Sequence, residues 1–234
     1  MPPLQDAYDT LLRAYGPQAW WPVNGRHKKS EPRVEIAVGA ILVQHAAWRN
    51  AERALEALDE HGLLAIDTLD SITTEELAHH IRSAGTAQVK SRRVKAFARH
   101  VVQRHQGSIA ALLEGVESTA IAIERRTELL TVYGIGPETA DAILLYAGGA
   151  PVFVVDAYAR RVMRRHGWGD AEAPYEEVQR FFQEQLPASV TVYNEAHALL
   201  VRVGIEHCKA RKPLCDGCPL QPLLPDGAPC TDVS

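Results

Sequence analysis

Apolar residues recur along most of this chain at the i, i+3, i+4, i+7 spacing of a helix with one buried face. Leu4, Leu11, Leu12 and Tyr15 follow it, as do Ile36, Ala40, Ile41 and Val43. Carried along the chain, the pattern predicts helices at 4–15, 34–46, 48–60, 73–83, 89–105, 118–131, 137–147, 156–166, 174–185 and 189–204. Breaks fall at Gly16-Pro17, Asn24-Gly25, Gly62, Gly107, Gly148-Gly149, Gly167 and Gly169, where the chain must turn. Ser118, Asp156 and Ser189 stand where N-caps are needed, and Pro174 suits a first helical turn. Only Pro151-Val152-Phe153-Val154-Val155 looks strand-like, and it is short enough to be an extended connector. The expected fold class is therefore all-α.

Composition narrows the picture. With 234 residues, 46% hydrophobic and 23% charged, the chain has ordinary globular make-up and can bury a sizeable core in one large or two small domains. No apolar run approaches the length of a membrane span, so no membrane partner is expected. The start, Met1-Pro2-Pro3-Leu4-Gln5-Asp6, has neither a basic nor an apolar stretch of the secretory kind. The expected location is the cytoplasm. The net charge of −4 argues against a generic polyanion binder, but its distribution reverses that impression. From Ile81 to Gln106 stand Arg82, Lys90, Arg92, Arg93, Lys95, Arg99 and Arg104 without an acid between them. From Ala157 to Trp168 stand Arg160, Arg161, Arg164 and Arg165, again without one. Each run is either a phosphate-facing surface or a solvated helix face.

All four cysteines crowd into the last 27 residues, as Cys208-x6-Cys215-x2-Cys218-x11-Cys230. In an intracellular protein such a cluster reads as a metal site rather than as disulfides. Four thiolates hold either zinc or a [4Fe–4S] cluster, and spacing alone does not decide between them. Lys209, Arg211 and Lys212 lie inside the first gap. His207 abuts Cys208 but is superfluous as a ligand. His79, His80, His100 and His105 read as surface residues rather than as a metal site.

The stretch Leu129-Leu130-Thr131-Val132-Tyr133-Gly134-Ile135-Gly136-Pro137-Glu138-Thr139-Ala140 reads as a helix, a tight turn and a second helix. The glycines permit positive φ and close backbone approach. Ile135 between them is expected to point inward, and Pro137 to start the second helix with its amides aimed outward. Bare amides at a helix start attract phosphate.

This hairpin resembles the helix-hairpin-helix motif of the endonuclease III superfamily of DNA glycosylases. Ala40-Ile41-Leu42-Val43-Gln44 resembles the family's early helix ending in a pocket glutamine. Phe153-Val154-Val155-Asp156-Ala157-Tyr158-Ala159-Arg160-Arg161 resembles its catalytic-aspartate segment, and the cysteines resemble its iron–sulfur loop. The resemblance implies two helical domains with a DNA cleft between them. One is a six-helix domain at 34–150 with the hairpin at 129–146; the other joins 1–33 to 151–234 and carries the iron–sulfur loop at 208–230. It further implies damaged duplex DNA as the partner, with single strands as the alternative that the small Thr86 and Ala87 raise; nothing in the sequence demands more than a monomer. It implies a base flipped into a pocket with Gln44, and Asp156 facing the sugar across from the hairpin. Gly134, Ile135, Gly136, Thr139, Arg160, Lys209, Arg211 and Lys212 are the expected DNA contacts. Cys208, Cys215, Cys218 and Cys230 are the expected ligands of a [4Fe–4S] cluster, with zinc as the alternative. The last cysteine gap departs from the family's x5. The longer loop costs roughly 0.7 kcal/mol in closure entropy, which metal–thiolate bonding outweighs.

Two further departures bear on activity. Bifunctional members carry a lysine 18 positions before the aspartate, and its amine attacks the sugar. Here that position is Glu138, which forms no Schiff base, so a monofunctional glycosylase with weak or no lyase activity is expected. After Gly85 the family usually places a bulky wedge; here Thr86 and Ala87 are small. Both departures also suit a binding protein of the same fold that recognises damaged DNA without excising a base. Finally, Trp20-Trp21-Pro22 and Trp48 resemble the 3-methyladenine glycosylase branch, whose aromatic side chains sandwich the flipped base. Packing of an N-terminal helix onto the core would use the same tryptophans.

Overall fold

The computed structural model describes residues 3–21 and 30–230, and every regular element among them is helical. In chain order these are α1 (Pro3–Tyr15), α2 (Pro32–Leu42), α3 (Trp48–Glu60), α4 (Ile66–Ser71) and α5 (Thr74–His80). After a 3₁₀ turn at Arg82–Ala84 come α6 (Ala87–His105), α7 (Ile109–Leu112), α8 (Thr119–Leu130) and α9 (Pro137–Ala142). A π-helical segment, Ile143–Gly148, continues α9; α10 (Ala157–Arg165), α11 (Tyr175–Gln185) and α12 (Val190–Glu206) follow. Among the described residues no helix is long and apolar enough to cross a membrane. The chain divides into two compact units: a continuous one, Trp21–Ala150, and a discontinuous one, Met1–Trp20 with Pro151–Ser234. The first boundary thus falls at 20/21 rather than 33/34, because Trp21 packs on α2. The expected six helices of the continuous unit become eight α-helices among the described residues, since α4 and α7 were not anticipated.

Burial of apolar stripes explains the continuous unit. Helix α2 is buried from Val34 to Leu42, so it is apolar nearly all round and runs through the core. Helix α6 buries Val94, Phe97, Ala98 and Val101 on one face and exposes Arg92 and Arg99 on the other. The expected helix 34–46 stops at Leu42, and His45 takes a left-handed φ of +52°. Lys90 lies inside, 2% exposed, with Nζ donating to Leu42 O at 2.7 Å and Ala84 O at 2.6 Å. It satisfies a carbonyl at the end of α2 and one in the 3₁₀ turn. Burial, assisted by the nearby Arg93, pushes its pKa below the ordinary lysine value. Lys90→Met keeps the stem but strands both carbonyls. It is expected to cost about 2–3 kcal/mol in chemical denaturation, and an unchanged midpoint would refute this bracing role.

In the discontinuous unit α12 supplies the core, burying Tyr193, Ala196, Ala198, Leu199, Leu200 and Val203. Phe153 stacks on Phe182, with ring centroids 4.4 Å apart, and meets Tyr193 edge-on at 5.9 Å. Gly204 lets α10 approach, since a Cβ there would overlap the Tyr158 ring. The strand-like run 151–155 has no strand partner among the described residues. Side chains take the place of a ladder: Phe153 N–H donates to Gln183 Oε1 at 3.0 Å and Gln179 Nε2 donates to Phe153 O at 2.6 Å. Val155 N–H donates to the Tyr175 hydroxyl at 3.2 Å. This straight, tethered connector delivers Asp156 to the start of α10.

Some expected details differ. Ser118 and Ser189 occupy N-cap positions without a capping side-chain bond, and Pro174 stands one residue before α11 begins. Thr73 and Ser108 cap α5 and α7 instead. His100 and His105 are not surface residues: each imidazole is largely withdrawn from water against Glu128. Burial pushes the Glu128 carboxyl up, but hydrogen bonds from His105 and His100 outweigh it and hold the pKa below the usual range.

Candidate functional site

The hairpin occupies residues 119–148 of the continuous unit. Its two helices are tied by Arg126, whose Nε donates to Asp141 Oδ1 at 2.7 Å and whose Nη2 lies 3.3 Å from Oδ2. Asp141 is fully buried, so this fork replaces the water its carboxylate has lost. Gly134 has φ +83°, a conformation L side chains rarely adopt, while Gly136 is an extended N-cap at φ −98°. Ile135 is buried, as its position between the glycines implies, and its N–H is used within the turn on Val132 O at 3.1 Å. Pro137 opens α9, whose first-turn amides have no intrahelical acceptor by geometry. Tyr133, 60% exposed, and Gly136 stand on the outer side of the turn.

Gln44 braces this turn. Its Nε2 donates to Gly134 O at 3.0 Å and to Thr139 Oγ1 at 2.8 Å. Its Oε1 accepts from Arg93 Nη1. Arg93 also lies across Gly134, where a Cβ would come within 2.6 Å of its Cδ. Two expectations change with this. Thr139 is buried and directs its hydroxyl to Gln44, not outward as a DNA contact, and the Gln44 amide is committed to the hairpin. In the sequence Arg93 is one cation of the basic run from Ile81 to Gln106; its tie to Gln44, 49 residues away, appears only in the fold.

Glu138 is exposed in the first turn of α9, where a carboxylate also suits the helix dipole. Trp21 and Trp48 come together, ring centroids 5.0 Å apart and edge to face. Tyr146, from the π-helical segment, joins them at 5.2 Å from Trp21. Trp21 rests on Gly39 of α2, where a Cβ would sit 3.1 Å from its ring. Trp20 falls in the other unit. Pro22 and the Asn24-Gly25 turn lie outside the described residues.

In the discontinuous unit, Asp156 caps α10: Oδ1 accepts from Ala159 N–H at 2.7 Å. Its second oxygen, Oδ2, lies 3.5 Å from His197 Nε2, and the carboxylate keeps 13% of its surface exposed. His197 sits among apolar residues on α12; a lone imidazole in the run Ala196-His197-Ala198-Leu199-Leu200 was the available signal.

The arginines of α10 overturn the reading of 157–168 as a phosphate surface. Arg160 Nη1 donates to Ala171 O at 2.6 Å and Ala173 O at 2.9 Å, so it secures a loop rather than presenting itself to DNA. Arg161 Nε donates to Cys208 O at 2.7 Å, and Arg164 pairs with Glu172. Arg165 is buried, donating to Cys208 Sγ at 3.2 Å, Lys209 O at 2.7 Å and Ala210 O at 3.0 Å. Lys209, Arg211 and Lys212 are exposed beyond it, with Lys209 Nζ turned back to Ile205 O. His207 is not idle: its Nδ1 lies 3.2 Å from Leu214 O and ties down the first cysteine gap.

The cysteine loop folds over the C-terminal end of α10. A small cavity is lined by Cys208, Cys215 and Cys218, with Val162, Val203 and Leu220 among its apolar walls. Cys230 is tied to the end of α10, its N–H donating to Arg165 O at 2.8 Å and its Sγ beside Gly167. Thiols around an apolar chamber, with a guanidinium on one sulfur, fit an anionic iron–sulfur cluster.

Residues 38–188 match the sequence model of the HhH-GPD superfamily base excision DNA repair protein, and residues 208–223 match the iron–sulfur binding domain of endonuclease III. The second match supports a [4Fe–4S] cluster over zinc. The Methanocaldococcus jannaschii protein named "Putative DNA repair glycosylase" is 39% identical over 217 residues, 92% of each chain. Endonuclease III of Thermotoga maritima is 26% identical over 192 residues, 82% of each. A trapped endonuclease III–DNA covalent intermediate shares the fold at a TM-score of 0.75 and 21% identity, over 96% of this chain and 95% of that one. Helicobacter pylori 3-methyladenine DNA glycosylase bound to 1,N6-ethenoadenine shares it at 0.72 and 23%, over 88% and 98%. The chain therefore belongs to the HhH-GPD superfamily of base excision DNA repair proteins, among its endonuclease III-like glycosylases.

Proposed function

We propose that the protein is a monofunctional DNA glycosylase, which hydrolyses the N-glycosidic bond of a flipped damaged base and leaves the abasic strand uncut. The observation that carries this reading is the exposed carboxylate of Glu138 in the first turn of α9, at the place of the lyase amine. A carboxylate forms no imine with the sugar. Lys90, elsewhere in the same unit, is no substitute, because its Nζ is buried and donates to two carbonyls. Water is then the nucleophile. As the bond to the base breaks, positive charge develops on the sugar and the base leaves with the electron pair. The Asp156 carboxylate stabilises that charge; water adds to C1′ and its proton passes to Asp156. His197 Nε2 stands 3.5 Å from the carboxylate's second oxygen.

Phosphate would meet the turn at Gly134–Gly136 and the first-turn amides of α9, with Arg211 and Lys212 as further contacts. Cys208, Cys215, Cys218 and Cys230 would hold the cluster, whose task is to fasten the loop. The indole rings of Trp21 and Trp48 favour an alkylated, cationic purine, since a cation over an indole gains about 0.5–2 kcal/mol. Small residues at Thr86 and Ala87 favour bases already unpaired.

A set of oligonucleotides, each with one defined lesion, scored before and after alkali, tests this. Release of an alkylated purine is expected, with strand breaks only after alkali and no covalent adduct on borohydride. Breaks without alkali, or a trapped adduct, would overturn the monofunctional reading.

A further inference from the structure

A second polar cluster lies where α6 meets α8, the first helix of the hairpin. His100 Nε2 is 2.9 Å and His105 Nε2 is 2.7 Å from the same oxygen, Glu128 Oε1. The three side chains keep only 16%, 11% and 14% of their surface exposed. The other carboxylate oxygen, Oε2, accepts from Arg125 Nη1 at 3.1 Å. A groove lined by Arg104, Thr127 and Thr131 opens beside His100 and Glu128.

We propose that His100, His105 and Glu128 form a binding site for a divalent first-row transition ion, with zinc the ion that fits best. Two imidazoles and one carboxylate are a recurrent zinc donor set, and this set leaves a fourth position for water. The three ligand atoms lie within 4.8 Å of one another. Tetrahedral ligands on bonds of 2.0–2.1 Å stand about 3.3 Å apart, so an ion requires each ring nitrogen to draw back from Oε1 by about half an ångström and the two nitrogens to settle at that same spacing. Arg125 fixes the carboxylate so that Oε1 faces both imidazoles, as a second layer of bonds does in metal sites. The groove provides the entry path.

The competing arrangement is a hydrogen-bonded brace, in which each imidazole donates its Nε2 hydrogen to Glu128 Oε1 and no ion is taken up. An ion here joins two helices only in the folded chain, so it would stabilise the unit that carries the hairpin.

The test uses the iron-loaded protein, dialysed against micromolar zinc and then against metal-free buffer. The expected result is about one zinc per chain with iron content unchanged, and a higher melting temperature. His105→Ala and Glu128→Gln should each abolish zinc uptake while keeping their iron, which separates this site from the cysteine loop. Crystals soaked in zinc should give one anomalous peak about 2.0–2.2 Å from both Nε2 atoms and Oε1. No uptake by the wild type, uptake that survives both substitutions, or a peak elsewhere would overturn the proposal. The crystal decides even if a variant fails to fold.

Discussion

Replacing Asp156 with asparagine is expected to slow base release by about 10²–10³-fold while leaving stability and DNA affinity near wild type. The carboxylate has two separable jobs. Its Oδ1 caps α10 by accepting from Ala159 N–H at 2.7 Å. Asparagine caps about as well as aspartate, so the helix survives the change. Its negative charge is another matter, because a neutral amide stabilises a developing oxocarbenium poorly and takes no proton from water. A 10²–10³-fold loss corresponds to about 2.7–4 kcal/mol of transition-state stabilisation. Asp156→Ala removes both jobs and should add a loss of about 1 kcal/mol in folding stability. The pair therefore splits chemistry from capping. If the asparagine variant releases base as fast as wild type from every lesion, Asp156 is a helix cap alone. The protein is then better described as one that binds damaged DNA without excising.

Legibility in the sequence followed the range of the interaction. The hairpin was readable because its glycines, Ile135 and Pro137 act within a few residues of one another. The cysteine loop was readable because thiols are scarce and all stand in the last 27 residues. Helices α4 and α7, of six and four residues, are too short to display a helical period, and so they were missed. The arginines of α10 were misread for a different reason. Their partners are main-chain carbonyls such as Ala171 O, Cys208 O and Lys209 O, and carbonyls carry no signature in a sequence. His197 beside Asp156, and Glu128 between His100 and His105, pair across 41, 28 and 23 residues, which only the packing of helices brings together.

The bracing of the hairpin leads to the second large effect. Gly134→Ala is expected to cost about 3 kcal/mol or more in stability and to weaken DNA binding by at least about tenfold, whereas Gly136→Ala should fold nearly as well as wild type. At Gly136 φ is −98° and a Cβ meets nothing within 4 Å. At Gly134 φ is +83°, which costs an alanine about 1–2 kcal/mol by itself. The remainder comes from Arg93, whose Cδ would lie 2.6 Å from the new Cβ. Arg93 is not free to swing aside without cost, because its Nη1 holds Gln44 Oε1. The Gln44 amide in turn holds Gly134 O and Thr139 Oγ1, so displacing Arg93 loosens both sides of the turn. A double-mutant cycle isolates this contribution. In an Arg93→Ala background the clash is gone, and Gly134→Ala should then cost only the backbone share of about 1–2 kcal/mol. Equal costs in the two backgrounds would mean that φ alone reserves the position for glycine. The chain of contacts from Arg93 through Gln44 to the turn would then carry no strain when the turn moves.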